Sequence, residues 1–472
     1  MPRRIARRSG GRAARRGRGA LGRALLLISL IAGGAGLGCR PSEEAARPPN
    51  VVIVLVDALR ADHLSLYGYS RPTSPHLDRL AGESVVFEQA RAQASCTVPS
   101  ANSILTGRAP ARFLGQGGGA MGIPPAVTSL AERFDRAGWA TVAVSASPIV
   151  RASPTRFNPG GGFQAGFDVF DEACLWSSAA CVNRQALTHL AAAEEPFFLY
   201  LHYMEPHGPY SPPDGWERRF AAAGDTLPEW VLRGDPNPLA AIARGGGGVS
   251  ALPAGALEHL VALYDDEIAY FDESFRQLMA TWERSGLADR TLIVLLADHG
   301  EAFLEKGYAK HCNSVYDSEI RTPLLIRPPG GTAGRRIGSA VANLDVAPTV
   351  LAAAGLPIPE ELEGTSLWPA VTSPAGEARL PGRAFAAWAA QRALVAEGRK
   401  VIYHLEGERW EAFDLAADPG ETLDLLATRP EAVRRLQSRL ARWIREAEGR
   451  HDDAARRDRE ATEQLRALGY LN

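Results

Sequence analysis

Little in this chain is extreme, and each shortage excludes a class of protein. Five cysteines among 472 residues are too few for a disulfide-stapled scaffold. A chain of this length, 46% apolar and 22% charged, buries a core without staples. The apolar stretch at residues 24–38 is 15 residues long, short of the roughly 20 that an ordinary membrane span needs. No internal repeat is evident, which argues against a solenoid or propeller. The net charge is only −2, and that figure conceals an acidic body. Residues 1–39 hold nine arginines and no acid; without them 43 basic groups face 54 acidic ones, a balance of −11. Such a body has no footprint for nucleic acid, and no nucleic-acid partner is expected.

What is present begins with the layout of an export signal. An arginine-rich n-region precedes the short apolar stretch, which ends in G-L-G-C-R at Cys39. That ending resembles a bacterial lipobox, with Gly36 where leucine is usual. Residues 1–39 are therefore expected to be a signal peptide, Cys39 a lipid-anchored terminus, and residues 40–49 a tether. The protein is expected to be exported to the bacterial periplasm or cell surface and held to the membrane by acyl chains. Cys174 and Cys181, seven apart in a loop-like segment, can pair in an oxidising compartment. Cys96 and Cys312 are expected to be free buried thiols.

From residue 51 the chain alternates strand-like runs (51–56, 140–145, 197–202, 292–297 and 323–327) with amphipathic helices such as 128–137 and 257–283. Runs such as V-V-I-V-L-V are short, β-branched and unalternated, as in strands buried on both faces of a parallel sheet. The expected fold is α/β, a mostly parallel central sheet flanked by helices over residues 50–380. Beyond it the pattern changes to four strand-like segments and a helix from residue 430, with Leu436, Leu440, Trp443 and Ala447 on one stripe. That predicts a small C-terminal antiparallel sheet plus helix over 381–472. A Pro/Gly-rich excursion at 211–253 reads as a substrate-side or surface loop.

Two of these strands close on acids. V-V-I-V-L-V ends in Asp57, and L-I-V-L-L-A ends in Asp298 and His299. Ligands gather beyond the carboxyl ends of strands in open α/β sheets, so these three residues are expected to converge. Carboxylates plus an imidazole suggest a metal site. Thr97, within S-C-T-V-P-S-A-N-S-I-L-T-G-R (95–108), precedes Pro99 and a helical stretch. Its hydroxyl then lies near a helix N-terminus that favours an anion, where coordination to a metal would lower its pKa and make it a nucleophile.

Longer motifs make the pattern specific. They include D-A-L-R-A-D-H-L-S-L-Y-G-Y (57–69), T-V-P-S-x-x-S-I-L-T-G (97–107), P-F-F-L-Y-L-H-Y-M-E-P-H-G-P-Y (196–210), L-L-A-D-H-G-E (295–301), H-C-N-S-V-Y-D-S-E-I-R-T-P-L-L-I (311–326) and Q-L-R-A-L-G-Y-L (464–471). With them the chain resembles the sulfatase family of the alkaline phosphatase superfamily over residues 50–472. The resemblance implies an alkaline phosphatase-like fold and hydrolysis or transfer of sulfate or phosphate esters. It places Asp57, Asp298 and His299 at metal-ligand positions and Thr97 where true sulfatases carry formylglycine. It also puts His207 against the transferred group, and Lys310 or His311 near the ester oxygen, with His311 as the proton donor.

The departures matter as much. In the C-x-P-S-R register of formylglycine enzymes Thr97 takes the Cys slot and Ala101 the Arg slot, while Cys96 falls one residue early. Asp57-Ala58 replaces the usual Asp-Asp. Formylglycine is therefore not expected. Asp57, Thr97, Asp298 and His299 resemble the single-metal pattern of phosphoethanolamine transferases and lipoteichoic acid synthases, with Zn, Mn or Ca as the ion. The expected substrate is a sulfated or phosphorylated glycan, a lipid headgroup or a small ester. Two alternatives stay open, a conventional arylsulfatase-like hydrolase and a catalytically silent binder of sulfated or phosphorylated polymers. His63, His76 and His202 are expected to be structural, Arg60 to bind an anion or a surface acid, and Trp176, Trp216 and Trp230 to pack loops or line a mouth.

Overall fold

The computed structural model describes residues 47–449 apart from 111–121, 156–157, 159, 177 and 222–225. The expected signal peptide, Cys39 and the motif at 464–471 lie outside these described residues. The strand-like runs found in the sequence are strands of one eight-stranded sheet. In chain order it contains β1 (Asn50–Val56), β2 (Val85–Arg91), β3 (Ala140–Ser145), β4 (Val169–Asp171), β5 (Phe197–Tyr203) and β6 (Thr291–Ala297). A small hairpin, β7 (Ala302–Phe303) and β8 (Ala309–Lys310), precedes its last members, β9 (Leu324–Arg327) and β10 (Arg335–Ala342). The spatial order is β10-β2-β9-β6-β1-β5-β3-β4. Only β9 runs against its neighbours β2 and β6; the other pairings are parallel.

Both faces of the sheet are covered, which is why its central strands lack alternation. Val52, Val54 and Val56 pack into one layer with the helices Pro75–Ala81, Ala179–Leu190 and Ala256–Arg284. Val51, Ile53 and Leu55 pack into the other with Thr97–Thr106, Leu130–Arg136 and Val346–Ala353. The Leu130 helix starts at a capping box in which Ser129 Oγ accepts from the Glu132 amide and Glu132 Oε2 accepts from the Ser129 amide. The short Pro75 helix is capped from a distance. Asp272, on the long helix, takes the free His76 and Leu77 N–H groups at 2.9 and 2.8 Å.

The sequence reading passes over β2, β4 and β10. β2 half-exposes Glu88 and Gln89, and β10 opens with arginines and exposes Arg336 and Gly338, so neither reads as a continuous apolar run. The expected C-terminal sheet is present as an antiparallel meander, β11 (Arg383–Trp388), β12 (Gln391–Ala396), β13 (Arg399–His404) and β14 (Arg409–Asp414). Leu436, Leu440 and Trp443 of the helix Arg434–Gly449 pack on it with Leu394 and Val401. On its other side Ala386, Ala393, Ile402 and Phe413 pack against Val315, Tyr316 and Ile320. At the join, fully buried Lys400 is held by Asp317 and Glu421, both at 2.9 Å, and Asp317 also binds buried Arg91 at 2.7 Å. A buried ammonium needs such partners, since desolvation costs several kcal/mol per ion.

Burial raises the Asp272 carboxyl to about 7, against the two backbone N–H groups that favour its charged form. A carboxyl raised on folding stabilises the fold in acid, and that contribution is lost as pH rises from about 4 through about 7. Asp272→Asn is expected to cost about 1 kcal/mol at pH 5 for a lost acceptor. It is also expected to shrink the fall in melting temperature between pH 5 and pH 8. Thermal melts of both proteins at the two pH values check this, and equal slopes would refute it.

Candidate active site

The three central strands of the sheet, β6, β1 and β5, end side by side, and each delivers a polar residue to one crevice. Asp57 follows β1 and Asp298 follows β6, where the register pairs Val56 with Ala297. His202, within β5, pairs with Leu55. The chain turns sharply after Asp57: Ala58 adopts φ 58°, its amide donates to Asp298 Oδ1 at 3.1 Å, and its carbonyl accepts from Tyr264 Oη. The same Asp298 oxygen takes the His299 amide at 2.9 Å. Asp57 Oδ2 takes His202 Nε2 at 3.2 Å, and His202 Nδ1 meets the Tyr200 hydroxyl at 3.0 Å.

One oxygen on each carboxylate is left over. Asp57 Oδ1 and Asp298 Oδ2 are buried with no hydrogen-bond partner, and such orphans require an explanation. His299 supplies a third donor. Its Nδ1 donates to the Gly300 carbonyl at 2.8 Å, so in the neutral ring Nε2 is a free acceptor. That Nε2 lies 3.7 Å from Asp57 Oδ1, 3.4 Å from Asp298 Oδ2 and 3.1 Å from Thr97 Oγ1. One ligand atom from each of Asp57, Asp298 and His299 falls within 4.8 Å of the others. The set therefore fits a divalent cation, and two carboxylates, an imidazole and a hydroxyl suit Zn or Mn at least as well as Ca. Thr97 is the first residue of the helix Thr97–Thr106, whose first-turn N–H groups favour an anion nearby.

Around this core stand two further imidazoles. The His311 ring lies 4.4 Å from that of His299 and 4.9 Å from that of His207. His311 Nδ1 meets Glu301 Oε2 at 2.7 Å, and Glu301 Oε1 accepts from the Tyr210 hydroxyl at 2.9 Å. Burial disfavours the charged His311 ring, but Glu301 and then Asp57 outweigh it and hold its pKa above the ordinary value. His207 hydrogen-bonds a carbonyl and no carboxylate, and burial pushes it down to about 4 despite the attraction of Asp57 and Glu301. The two acids differ as well. Burial alone would raise Asp57, yet His207, His202 and His299 hold it well below the usual range. Asp298 is raised by burial and by the Asp57 charge.

The structure thus gathers Asp57, Asp298, His299, Thr97, His207 and His311. Lys310 belongs to β8 and its ammonium binds Asn237 Oδ1 at 2.9 Å, so the recorded ring contacts bring His311 to the cluster. Glu301 and Tyr210 were not singled out by sequence, although Glu301 is the last letter of D-H-G-E. His202 is a buried strand histidine as expected, but one that also holds Asp57. Arg60 binds no free anion position: it is committed to Asp62, Glu305 and the Glu301 carbonyl. His63 pairs with Asp265 and His76 with Glu273, both structural. Cys96 and Cys312, expected as free thiols, form a disulfide, as Cys174 and Cys181 do. The reason is spatial: the segments holding Cys96 and Cys312 are hydrogen-bonded neighbours, the Cys312 amide donating to the Ser95 carbonyl at 2.7 Å. Trp176 is 54% exposed with its ring 5.6 Å from His207, whereas Trp216 packs on Tyr270 and Arg219.

An α/β sandwich with a cation-ready cluster at the carboxyl ends of its central strands has its candidate site where open α/β sheets bind their ligands. The chain matches the family described as Sulfatase over residues 49–356, and N-sulphoglucosamine sulphohydrolase, C-terminal, over residues 305–448. It belongs to the sulfatase family and is a hydrolase of that family. It is 24% identical to a sulfatase of Formosa agariphila over 84% of this chain and 87% of that one. Its fold is similar to the phosphonate monoester hydrolase of Agrobacterium radiobacter, with a TM-score of 0.65, 20% identity, and 85% and 96% of the two chains covered. It is similar too to a protein solved with D-glucosamine-2-N,6-O-disulfate, with a TM-score of 0.64, 20% identity, and 86% and 99% covered.

Two buried like charges destabilise the metal-free protein. Asp298→Asn is expected to raise the melting temperature of chelator-treated protein and to abolish the rise that Zn, Mn or Ca gives wild type. An ion at a hundred times its Kd adds about 2.7 kcal/mol. A variant that still melts higher with the ion would contradict the site.

Proposed function

We propose that the chain is a metal-dependent esterase of the sulfatase fold that uses Thr97 as its nucleophile on a sulfate or phosphate ester, with phosphodiester or phosphoryl-transfer chemistry the best fit. The observation that carries this reading is the Thr97 hydroxyl, 3.1 Å from His299 Nε2 at the start of a helix and beside two orphaned carboxylate oxygens. Ala58 and Ala101, which depart from the formylglycine pattern, point the same way. Cys96 is bonded to Cys312, so its sulfur is engaged, which supports threonine over a modified cysteine.

Asp57, Asp298, His299 and Thr97 would hold the ion, Zn, Mn or Ca. Bound there, it supplies the positive charge that lowers the hydroxyl's pKa and screens the non-bridging oxygens of the ester. The remaining work falls to side chains. Thr97, its hydroxyl proton given up to solvent as the lowered pKa allows, attacks sulfur or phosphorus in line with the departing oxygen, whose bond to that atom breaks. His207 donates Nδ1–H to the Gly208 carbonyl at 2.7 Å, so it can donate Nε2–H to a non-bridging oxygen only as the imidazolium, a form that burial disfavours and that the negative charge of a bound ester favours. His311, whose pKa Glu301 raises and whose Nδ1 it engages, gives its Nε2 proton to the leaving alkoxide. Water or a second alcohol, losing its proton to the now neutral His311, then displaces the Thr97 oxygen from the group, giving hydrolysis or transfer.

The substrate proposed is a sulfated or phosphorylated glycan, a lipid headgroup or a small ester. The glucosamine disulfate bound by one structural neighbour and the phosphonate monoesters of another support that range. Two disulfides support an oxidising compartment, hence export to the periplasm or cell surface, with Cys39 as the proposed lipid anchor.

Metal-replete protein assayed on aryl phosphodiester, phosphomonoester and sulfate panels is expected to turn over at least one class. Thr97→Ala is expected to abolish that turnover and to prevent a covalent adduct of one phosphoryl or sulfuryl group on the 95–108 peptide of quenched wild type, read by mass spectrometry. Full activity in Thr97→Ala would remove the threonine from the mechanism. Metal binding without turnover on any panel would leave the silent binder as the answer.

A further inference from the structure

The two residues assigned to attack and proton donation each stand one residue from a half-cystine. Cys96 immediately precedes Thr97, and Cys312 immediately follows His311. Their disulfide joins positions 216 residues apart in sequence, with Cα atoms 4.7 Å apart. Beside it the Cys312 amide donates to the Ser95 carbonyl at 2.7 Å.

The segment bearing His311 has an unusual backbone. Lys310 and Cys312 have φ of 67° and 63°, so left-handed non-glycine residues flank the histidine on both sides. Such conformations persist only when the surroundings enforce them. Part of the enforcement is local: the Asn313 side-chain amide donates to the Ala309 and His311 carbonyls, both at 3.0 Å. Those bonds fix the shape of the turn but not its place relative to Thr97. The Glu301 contact holds one ring nitrogen of His311 without fixing the backbone beneath it. The covalent tie across the crevice runs from the residue before the nucleophile to the residue after the proton donor.

We propose that the Cys96–Cys312 disulfide is a positioning device, which sets the His311 ring against the ester oxygen that leaves Thr97's target. This rests on the roles given above to Thr97 and His311. If the bridge acts this way, its loss harms the step that needs a proton more than the step that does not. A p-nitrophenolate leaves without protonation, whereas the more basic phenolate draws on the acid.

The experiment compares phenyl with p-nitrophenyl esters of the same acid, on the metal-replete full chain, for wild type, Cys96→Ser/Cys312→Ser and His311→Ala. Misplacement of a catalytic group by about 1 Å costs up to roughly 10²-fold, so the double variant is expected to lose about 10- to 100-fold in kcat on the phenyl ester and much less on the p-nitrophenyl ester. The ratio of the two rates is independent of how much protein is folded. A double variant with the wild-type ratio would overturn the proposal and leave the bridge a staple. The His311→Ala control separates the two ideas: the same bias there supports the acid role, and its absence shows that the role itself, and the proposal with it, fails. Should the double variant not fold, gentle phosphine reduction of folded wild type gives the same ratio, with alkylation of Cys96 and Cys312 confirmed by peptide mass spectrometry.

Discussion

Asp57 and Asp298 bring two carboxyl groups, both buried, to one crevice, and most of the neighbouring structure answers that burial. Each carboxylate spends one oxygen on protein donors: the His202 ring for Asp57, and the Ala58 and His299 amides for Asp298. Each keeps the other oxygen bare. Ala58 accepts a left-handed backbone so that its amide can reach across to Asp298. The arrangement is costly for a protein alone and favourable for a protein with a cation, which is the logic of a site built for binding before stability.

The histidines extend the same electrostatic argument outward. Four imidazoles, His202, His207, His299 and His311, surround the two acids. Their protonation differs by what faces each ring. Glu301 raises His311 above the ordinary imidazole value, and His207, which hydrogen-bonds no carboxylate, is pushed down by burial. One crevice thus holds two imidazoles pushed in opposite directions by their surroundings, the arrangement that acid–base chemistry requires.

Much of this was legible in the residues. The buried strands announce themselves because an unalternated β-branched run has few other uses, and the acids closing two of them follow from where such sheets bind ligands. The long helix Ala256–Arg284 and the C-terminal meander were readable by periodicity within a few residues. What escaped had a physical reason in each case. β2 and β10 lie at one side of the sheet, where half-exposed charges interrupt the apolar pattern. Glu301 and Tyr210 act through partners 10 and 91 residues away, and no local spacing signals such contacts. The pairing of Cys96 with Cys312 depends on the loops before the Thr97 helix and after β8 meeting in space, which five scattered cysteines do not specify.

Buried Lys400 has a consequence for how this chain can be divided. Its ammonium is tied to Asp317, and the meander's Ile402 and Phe413 cover Val315 and Ile320, a few residues beyond His311. A fragment stopping at residue 380 would keep every proposed ligand and yet strip the scaffold from beneath the segment that follows His311. Exchange of parts between relatives must therefore carry the last fifth of the chain along with the loops of the site, as one heritable unit.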